Sequence, residues 1–150
     1  MIKLASSDFV SLDAFPLGWR FAPDRVGNVS PDALARIRPL TADRASDLAQ
    51  VAQARCERVA TFAMTFRSDD SPGAVRAQLQ ALPPAAATGI LISWDTRTAA
   101  ATDWELFVAH WDDFCYPSSD DVTVWPLDDG WTLCYRHYEI FQFDSRFPAA

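Results

Sequence analysis

Apolar residues recur at three- and four-residue steps in four segments, and each segment begins near a residue able to cap a helix. Ser30 and Ser71 each precede a proline, which is typical of the first turn of a helix. Thr41 precedes a longer periodic segment, and Thr102 with Glu105 matches a capping box. The sequence therefore predicts four helices. Their apolar positions are Leu34 and Ile37; Leu48, Val51, Ala52 and Cys56; Val75, Leu79 and Leu82; and Trp104, Phe107, Val108 and Trp111.

Other apolar runs are bounded by turn residues and predict β-strands. Residues 88–94 form one such run, and residues 122–126 and 131–143 flank a short loop that predicts a hairpin. We expect Gly130 in that loop to adopt a positive φ. Residues 59–67 alternate in a way that favours a strand, with continuation of the preceding helix as the alternative. One face of the second hairpin strand would carry Trp131, Leu133, Tyr135, His137, Glu139, Phe141 and Phe143.

The order of these elements predicts an α+β fold in a single domain spanning residues 1–150. Three or four helices would pack on an antiparallel sheet of about four strands that ends in a C-terminal hairpin. A chain of 150 residues has the usual length of one domain, and no repeat or long linker divides it. The first thirty residues lack periodicity, so we expect an irregular arm held by its large apolar side chains. These are Phe9, Phe15, Trp19 and Phe21.

Acidic residues are concentrated in the second half of the chain. The formal net charge is −7, and residues 76–150 hold eleven acidic and four basic side chains, whereas residues 1–75 hold nine of each. Such a charge repels nucleic acid and anionic membrane surfaces, so we expect neither as a partner. The 49% of apolar residues is typical of a folded protein rather than a disordered one.

The three cysteines predict free thiols in a reducing compartment. Cys56, Cys115 and Cys134 are an odd number and form no CxxC pair. Residues 1–19 lack the apolar stretch of a signal peptide, and no run is long enough to span a membrane. We therefore expect a cytoplasmic protein. No metal or cofactor motif is present, and no cofactor is expected.

Three Asp-Asp pairs at intervals of eight residues are the strongest candidates for function. Paired carboxylates suit a bound cation or acid–base chemistry, but the spacing matches no calcium loop. Any single pair is also typical of a solvated turn. Trp125 and Trp131 flank the third pair, and aromatic rings beside carboxylates can bind arginine or lysine side chains. The predicted partner-binding residues are Asp112, Asp113, Asp120, Asp121, Trp125, Asp128, Asp129 and Trp131.

The sequence thus leads to one principal hypothesis and two alternatives. The principal hypothesis is a protein-binding module that presents the acidic, aromatic face at about residues 112–131 to a basic protein partner. The first alternative is a metal-assisted hydrolase or transferase that uses the aspartates with His137. The second is a structural subunit of a homo-oligomer. A nucleophilic thiol at Cys115 is less expected than a buried apolar role for that residue.

A resemblance to known proteins adds to the principal hypothesis. The stretch WDDFCYPSSDDVTVWP at 111–126, followed by GWTLCYRHYEIFQF, resembles the C-terminal half of a family of small bacterial domains of unknown function. The motifs WRF at 19–21 and IRPL at 37–40 extend that resemblance over most of the chain. The acidic, tryptophan-rich composition is also similar to that of immunity proteins that neutralise bacterial toxins. The similarity in composition implies an inhibitor of a basic toxin, but it assigns no binding residue.

Overall fold

An antiparallel sheet forms the centre of the protein. The structure, a computed structural model, describes residues 1–22, 29–62, 64–128 and 130–145. The strands are β1 (Arg38–Pro39), β2 (Met64–Arg67), β3 (Gly89–Asp95), β4 (Thr98–Asp103), β5 (Val122–Pro126), β6 (Thr132–Arg136) and β7 (Ile140–Asp144). Their order across the sheet is β1-β4-β3-β5-β6-β7-β2. The α+β class is confirmed, and the described sheet has seven strands rather than about four.

Five α-helices lie within the described ranges and cover both faces of this sheet. They are α1 (Pro31–Leu34), α2 (Ala42–Phe62), α3 (Pro72–Gln80), α4 (Trp104–Ala109) and α5 (Trp111–Phe114). Successive strand residues point to opposite faces. Ile90 and Ile92 accordingly pack with α3, α4 and α5 on one face, and Leu91 packs with Leu48 of α2 on the other.

Three of the four predicted helix starts are confirmed by their capping hydrogen bonds. The side-chain oxygens of Ser30, Thr41 and Ser71 each accept a hydrogen bond from the backbone N–H three residues later, at 3.2 to 3.3 Å. The fourth start was predicted one residue early. Thr102 belongs to β4, and Asp103 caps α4 by accepting from the N–H of Leu106 at 2.9 Å.

The prediction for residues 59–67 was right only in its second half. Helix α2 continues to Phe62, and β2 begins at Met64.

The apolar face predicted for α2 is also corrected at two positions. Val51 is exposed, whereas Arg55 is buried, donating to the Oγ1 of Thr132 at 2.8 Å. A polar group on the sheet beneath the helix therefore makes an arginine a core residue.

The predicted hairpin that begins with residues 122–126 is confirmed, because β5 pairs with β6. Its predicted second strand, residues 131–143, consists of two strands, β6 and β7. Residues 137–139 form a tight turn between β6 and β7, and the N–H of Glu139 donates to the carbonyl of Arg136 at 2.8 Å. The predicted apolar face survives this correction because Leu133 and Tyr135 pair directly with Phe143 and Phe141 of β7.

The expected positive φ of Gly130 was wrong. Gly130 lies outside the left-handed region, and a Cβ added there would meet no atom within 4 Å. The positive φ values belong instead to Ser118, at 70°, and Glu139, at 66°, among the described non-glycine residues. A side-chain pattern does not reveal such positions, because both residue types usually adopt negative φ.

The described part of the N-terminal arm, residues 1–22, is irregular, as predicted, and contains three short 3₁₀ helices at Ser6–Asp8, Leu12–Ala14 and Gly18–Phe21, whereas residues 23–28 of the predicted arm lie outside the described residues. Phe15 and Phe21 are buried in the core, but Trp19 is largely exposed. No helix in the described part of the chain is both long and apolar enough to cross a bilayer.

The prediction of three free thiols was wrong for two of the cysteines. Cys56 of α2 and Cys134 of β6 form a disulfide across a Cα–Cα distance of 6.1 Å. The residues are separated by 78 positions, so their proximity arises only when α2 packs on the sheet. Cys115 is free and buried.

Candidate functional site

The end of β2, the β6–β7 turn and α5 meet at one end of the sheet. Because β2 pairs with β7 and β7 with β6, Arg67, Ile140 and Arg136 lie side by side there. A cavity of about 220 Å³ opens beside them, and we call it the acidic pocket. Its lining residues are Ser68, Asp69, Asp70, Pro72, Trp111, Asp112, Cys115, Pro117, Tyr135 and Glu139.

Four carboxylates surround the acidic pocket, and no basic side chain lines it. Asp69 forms a salt bridge with Arg67, whose Nη2 lies 2.6 Å from Oδ2. The hydrogen bond from that guanidinium holds the pKa of Asp69 below its ordinary value. Asp70, Asp112 and Glu139 form no salt bridge within the described residues. Arg67 also attracts the carboxylate of Glu139, so the negative charge of the pocket is compensated only in part.

The floor of the acidic pocket is aromatic and carries two buried hydroxyls. Tyr135 is 2% exposed and Ser68 is 6% exposed. Burial raises the pKa of Tyr135 to about 12, and the nearby Ser68 hydroxyl opposes that rise. The Oγ of Ser68 has no hydrogen-bond partner of good geometry in the described ranges. Tyr135 is therefore protonated at neutral pH, and both hydroxyls can bond to an incoming group.

Ring packing and one indole hydrogen bond hold this floor in place. The Nε1 of Trp111 donates to the carbonyl of Pro72 at 3.1 Å. The ring of Phe141 lies 5.9 Å from Trp111 and 4.9 Å from Tyr135, centroid to centroid. Packed rings restrict side-chain rotation, so the Tyr135 hydroxyl has a defined position.

Glu139 reaches the acidic pocket from a strained backbone. Its φ of 66° lies in the left-handed region, and its carbonyl accepts from the N–H of Ser68 at 2.9 Å. A glutamate in this conformation costs of the order of 1–2 kcal/mol relative to right-handed backbone. Strain of this kind is found more often at functional sites than elsewhere.

Replacement of Glu139 by glycine is expected to raise the free energy of unfolding by about 0.5–1 kcal/mol, because glycine relieves the strain but gains unfolded-state entropy. Chemical denaturation measures the change. Glu57→Gly within α2 is the control, and it should lower stability by about 1 kcal/mol. Equal losses from both substitutions would show that the Glu139 backbone is not strained.

The structure divides the eight sequence-predicted residues among different environments. Asp112 lines the acidic pocket. Asp113 is part-buried, with Oδ2 3.9 Å from Nδ1 of His110. Trp125 is 0% exposed and Trp131 is 8% exposed, so both belong to the core. Neither indole is available for a partner on the surface.

Asp120 is buried in an ion pair with Arg20 of the N-terminal arm. Nη1 and Nη2 of Arg20 donate to the two carboxylate oxygens at 2.6 and 3.1 Å. The N–H of Tyr116 also donates to Asp120, at 2.8 Å, and the Arg20 guanidinium lies 3.9 Å from the centroid of the Tyr116 ring. Asp120 therefore anchors the arm to the domain.

Asp121 is exposed and binds His137. Its Oδ1 accepts from the backbone N–H of His137 at 2.9 Å and lies 3.0 Å from the ring Nδ1. Partial burial alone would raise the pKa of Asp121, but the hydrogen bonds from His137 outweigh it and lower the pKa below its ordinary value. These contacts join the segment just before β5 to the β6–β7 turn.

The third aspartate pair lies away from the first two. Asp128 is exposed in the β5–β6 loop, and Asp129 lies outside the described residues. Strand β6 separates that loop from the β6–β7 turn, a distance of roughly 17 Å for five strand residues. The hairpin loop and the acidic pocket are therefore at opposite ends of the sheet.

Sequence reasoning missed Ser68, Asp69, Asp70 and Tyr135 as site residues. Asp69 and Asp70 are a fourth Asp-Asp pair, separated by one residue from the end of β2, and that position was the available signal. The count of charges by halves of the chain did not reveal this pair, because acidic and basic residues are equal in number in the first half. The role of Tyr135 depends on packing and has no local signal.

The site has no arrangement for metal or thiol chemistry within the described residues. No group of three or more His, Cys, Asp or Glu side chains there could hold a metal ion. The four pocket carboxylates thus surround the cavity without converging on one point. Burial raises the pKa of the Cys115 thiol well above its ordinary value, so the thiol stays protonated and unreactive at neutral pH.

Comparison of this chain with protein-family models, with curated proteins and with solved structures gives no match.

Proposed function

We propose that this protein is a binding module that recognises a basic protein partner through the acidic pocket. The observation that supports the proposal is a cavity bordered by four carboxylates, three of them without a salt bridge, and lined by no basic residue. An immunity-type inhibitor of a bacterial toxin is the specific form of the proposal. Its support is the acidic, aromatic composition and the resemblance described above.

An excess of carboxylates over nearby basic groups favours a partner on energetic grounds. Like charges held close together repel one another and lower the stability of the folded state. A basic partner removes that cost when it binds, and the same charges increase its rate of association. Steering of this kind weakens steeply as salt increases.

The alternatives from the sequence have less support. A metal-assisted hydrolase or transferase would need converging ligands, and the described residues contain no such group. His137, which the enzyme hypothesis combines with the aspartates, already interacts with Asp121. No contact among the described residues favours a structural homo-oligomer over the binding module.

A cytoplasmic location is part of the original hypothesis and stays a prediction. The disulfide between Cys56 and Cys134 weighs against it, because such bridges are rare in reducing compartments. An inhibitor that meets its toxin in an oxidising compartment is compatible with the same acidic pocket.

Neutralising the acidic pocket is expected to weaken binding to an arginine- and lysine-rich peptide about 5- to 10-fold, since exposed charge pairs contribute up to about 1 kcal/mol each. The variant is Asp112→Asn with Glu139→Gln, measured by titration calorimetry at low and moderate salt. The matched control is Asp43→Asn with Asp47→Asn, which removes two exposed charges from α2 on the other face of the sheet.

A third variant, Asp128→Asn with Asp129→Asn, separates the acidic pocket from the hairpin loop. We expect it to behave like the α2 control. A loss confined to this variant would place the binding face at the loop, and equal losses in all three would indicate that net charge alone drives binding. An acidic peptide of the same length should not bind, and absence of binding by the basic peptide would overturn the proposal.

A further inference from the structure

We infer that the acidic pocket accepts one arginine side chain of the basic partner, with the Tyr135 hydroxyl bonding to its guanidinium at the floor. The inference rests on the proposed function and specifies the group that anchors the partner. It combines the carboxylates at the rim with two buried hydroxyls, of which the Ser68 Oγ has no hydrogen bond of good geometry among the described residues.

The size of the acidic pocket favours a single side chain. Its volume of about 220 Å³ is below the roughly 300–1,000 Å³ of sites that enclose drug-sized molecules. A metal ion is a poor occupant, because no three ligating side chains among the described residues converge. One long cationic side chain that enters from a partner's surface is small enough for this volume and needs no set of metal ligands.

The buried floor supplies the second, independent reason. The side chain of Tyr135 is almost entirely buried, and the groups that influence its hydroxyl include Ser68, Cys115 and Glu139, all of which line the acidic pocket. Tyr135 and Ser68 thus line the same cavity, and their hydroxyls interact with each other. Their contact leaves the Ser68 Oγ without a hydrogen bond of good geometry within the described ranges, and because buried polar groups are normally hydrogen-bonded, a donor in the cavity would satisfy it.

The same groups favour arginine over lysine. A guanidinium presents five donors in one plane, enough to reach the hydroxyls at the floor and the carboxylates at the rim together. It is more weakly hydrated than an ammonium group, so it loses less on entering a floor made of Trp111 and Tyr135. An ammonium group has three donors arranged around a point and retains water more strongly.

The protein already binds one of its own arginines in a comparable way. Arg20 lies against the ring of Tyr116 at 3.9 Å and pairs with both carboxylate oxygens of Asp120. An aromatic ring and an aspartate thus hold a buried guanidinium elsewhere in the fold. The acidic pocket offers a guanidinium from outside the same aspartate chemistry at Asp112, with the hydroxyls of Tyr135 and Ser68 in place of a ring face.

Two acetylated, amidated peptides of one sequence, carrying either three arginines or three lysines, test the inference by titration calorimetry. We expect the arginine peptide to bind the unmodified protein at least 5-fold more tightly. Tyr135→Phe removes only the hydroxyl and should weaken the arginine peptide on the order of 10-fold, as for a lost hydrogen bond to a charged group. Its effect on the lysine peptide should be smaller.

Tyr138→Phe is the matched control, because Tyr138 is exposed in the neighbouring turn, and it should change neither affinity. Thermal denaturation checks that each variant is folded. If Tyr135→Phe does not fold, Ser68→Ala replaces it, with an expected loss of at least 2-fold for the arginine peptide.

The outcomes separate this inference from the proposed function. Equal affinities for the two peptides, with no effect of the floor variants, would overturn the arginine pocket and leave an acidic binding surface. Tighter binding of the lysine peptide would also overturn it. Binding of neither peptide would overturn the proposed function together with the inference.

Discussion

Asp120→Ala is expected to lower the free energy of unfolding by about 3–5 kcal/mol, the loss typical when one partner of a buried ion pair is removed. The substitution leaves the Arg20 guanidinium buried with neither of the two acceptors it now binds at 2.6 and 3.1 Å. It also removes the acceptor for the N–H of Tyr116. A domain has a total stability of about 5–15 kcal/mol, so the loss is a large fraction of the whole. Urea denaturation measures it.

Asp121→Ala is the matched control, because it makes the same change one residue later at an exposed site. We expect a loss of about 1 kcal/mol or less there, as for an exposed pair. The double variant Arg20→Met with Asp120→Leu should recover much of the stability, since it leaves no buried charge unpaired. Equal losses from Asp120→Ala and Asp121→Ala would show that the Arg20 pair does not anchor the arm.

Removal of the disulfide by Cys56→Ala with Cys134→Ala is expected to lower the free energy of unfolding by about 4 kcal/mol. The bridge joins residues separated by 78 positions, and closing a loop of that length restricts the unfolded chain by about this amount. The melting temperature should fall by roughly 10 °C for a domain of this size. Differential scanning calorimetry of the oxidised protein and the double variant measures the shift.

A reducing agent provides the control for this prediction. It should lower the melting temperature of the unmodified protein and leave that of the double variant unchanged. Alkylation of free thiols at the moment of cell lysis, followed by mass spectrometry, reports whether the bridge exists in the cell. A melting temperature that does not respond to the reducing agent would contradict a stabilising disulfide, and rapid alkylation of both cysteines would support the cytoplasmic location.

Local signals in the sequence were sufficient for much of the secondary structure. A serine before proline, as at Ser30 and Ser71, satisfies helix N–H groups within three residues along the chain. The apolar run of β3 and the hairpin at residues 122–126 depend likewise on neighbouring positions. These features were predictable because the groups that decide them lie close together in sequence. Strand β4 was not, because its run of alanines has little strand propensity and pairing with β3 determines its conformation.

The sequence by itself determined an acidic, aromatic-rich α+β domain, and only the tertiary structure decided which acidic residues can meet a partner. Asp120 and Asp121 are adjacent in sequence, yet packing of the arm buries one against Arg20 and leaves the other exposed. The acidic pocket itself depends on β2 pairing with β7, which brings residues 68–70 beside Glu139. Charge counts along the chain compare residues that are neighbours in sequence. The Arg20–Asp120 salt bridge, the disulfide and the pocket join residues far apart in sequence, so these interactions form only when the sheet has formed.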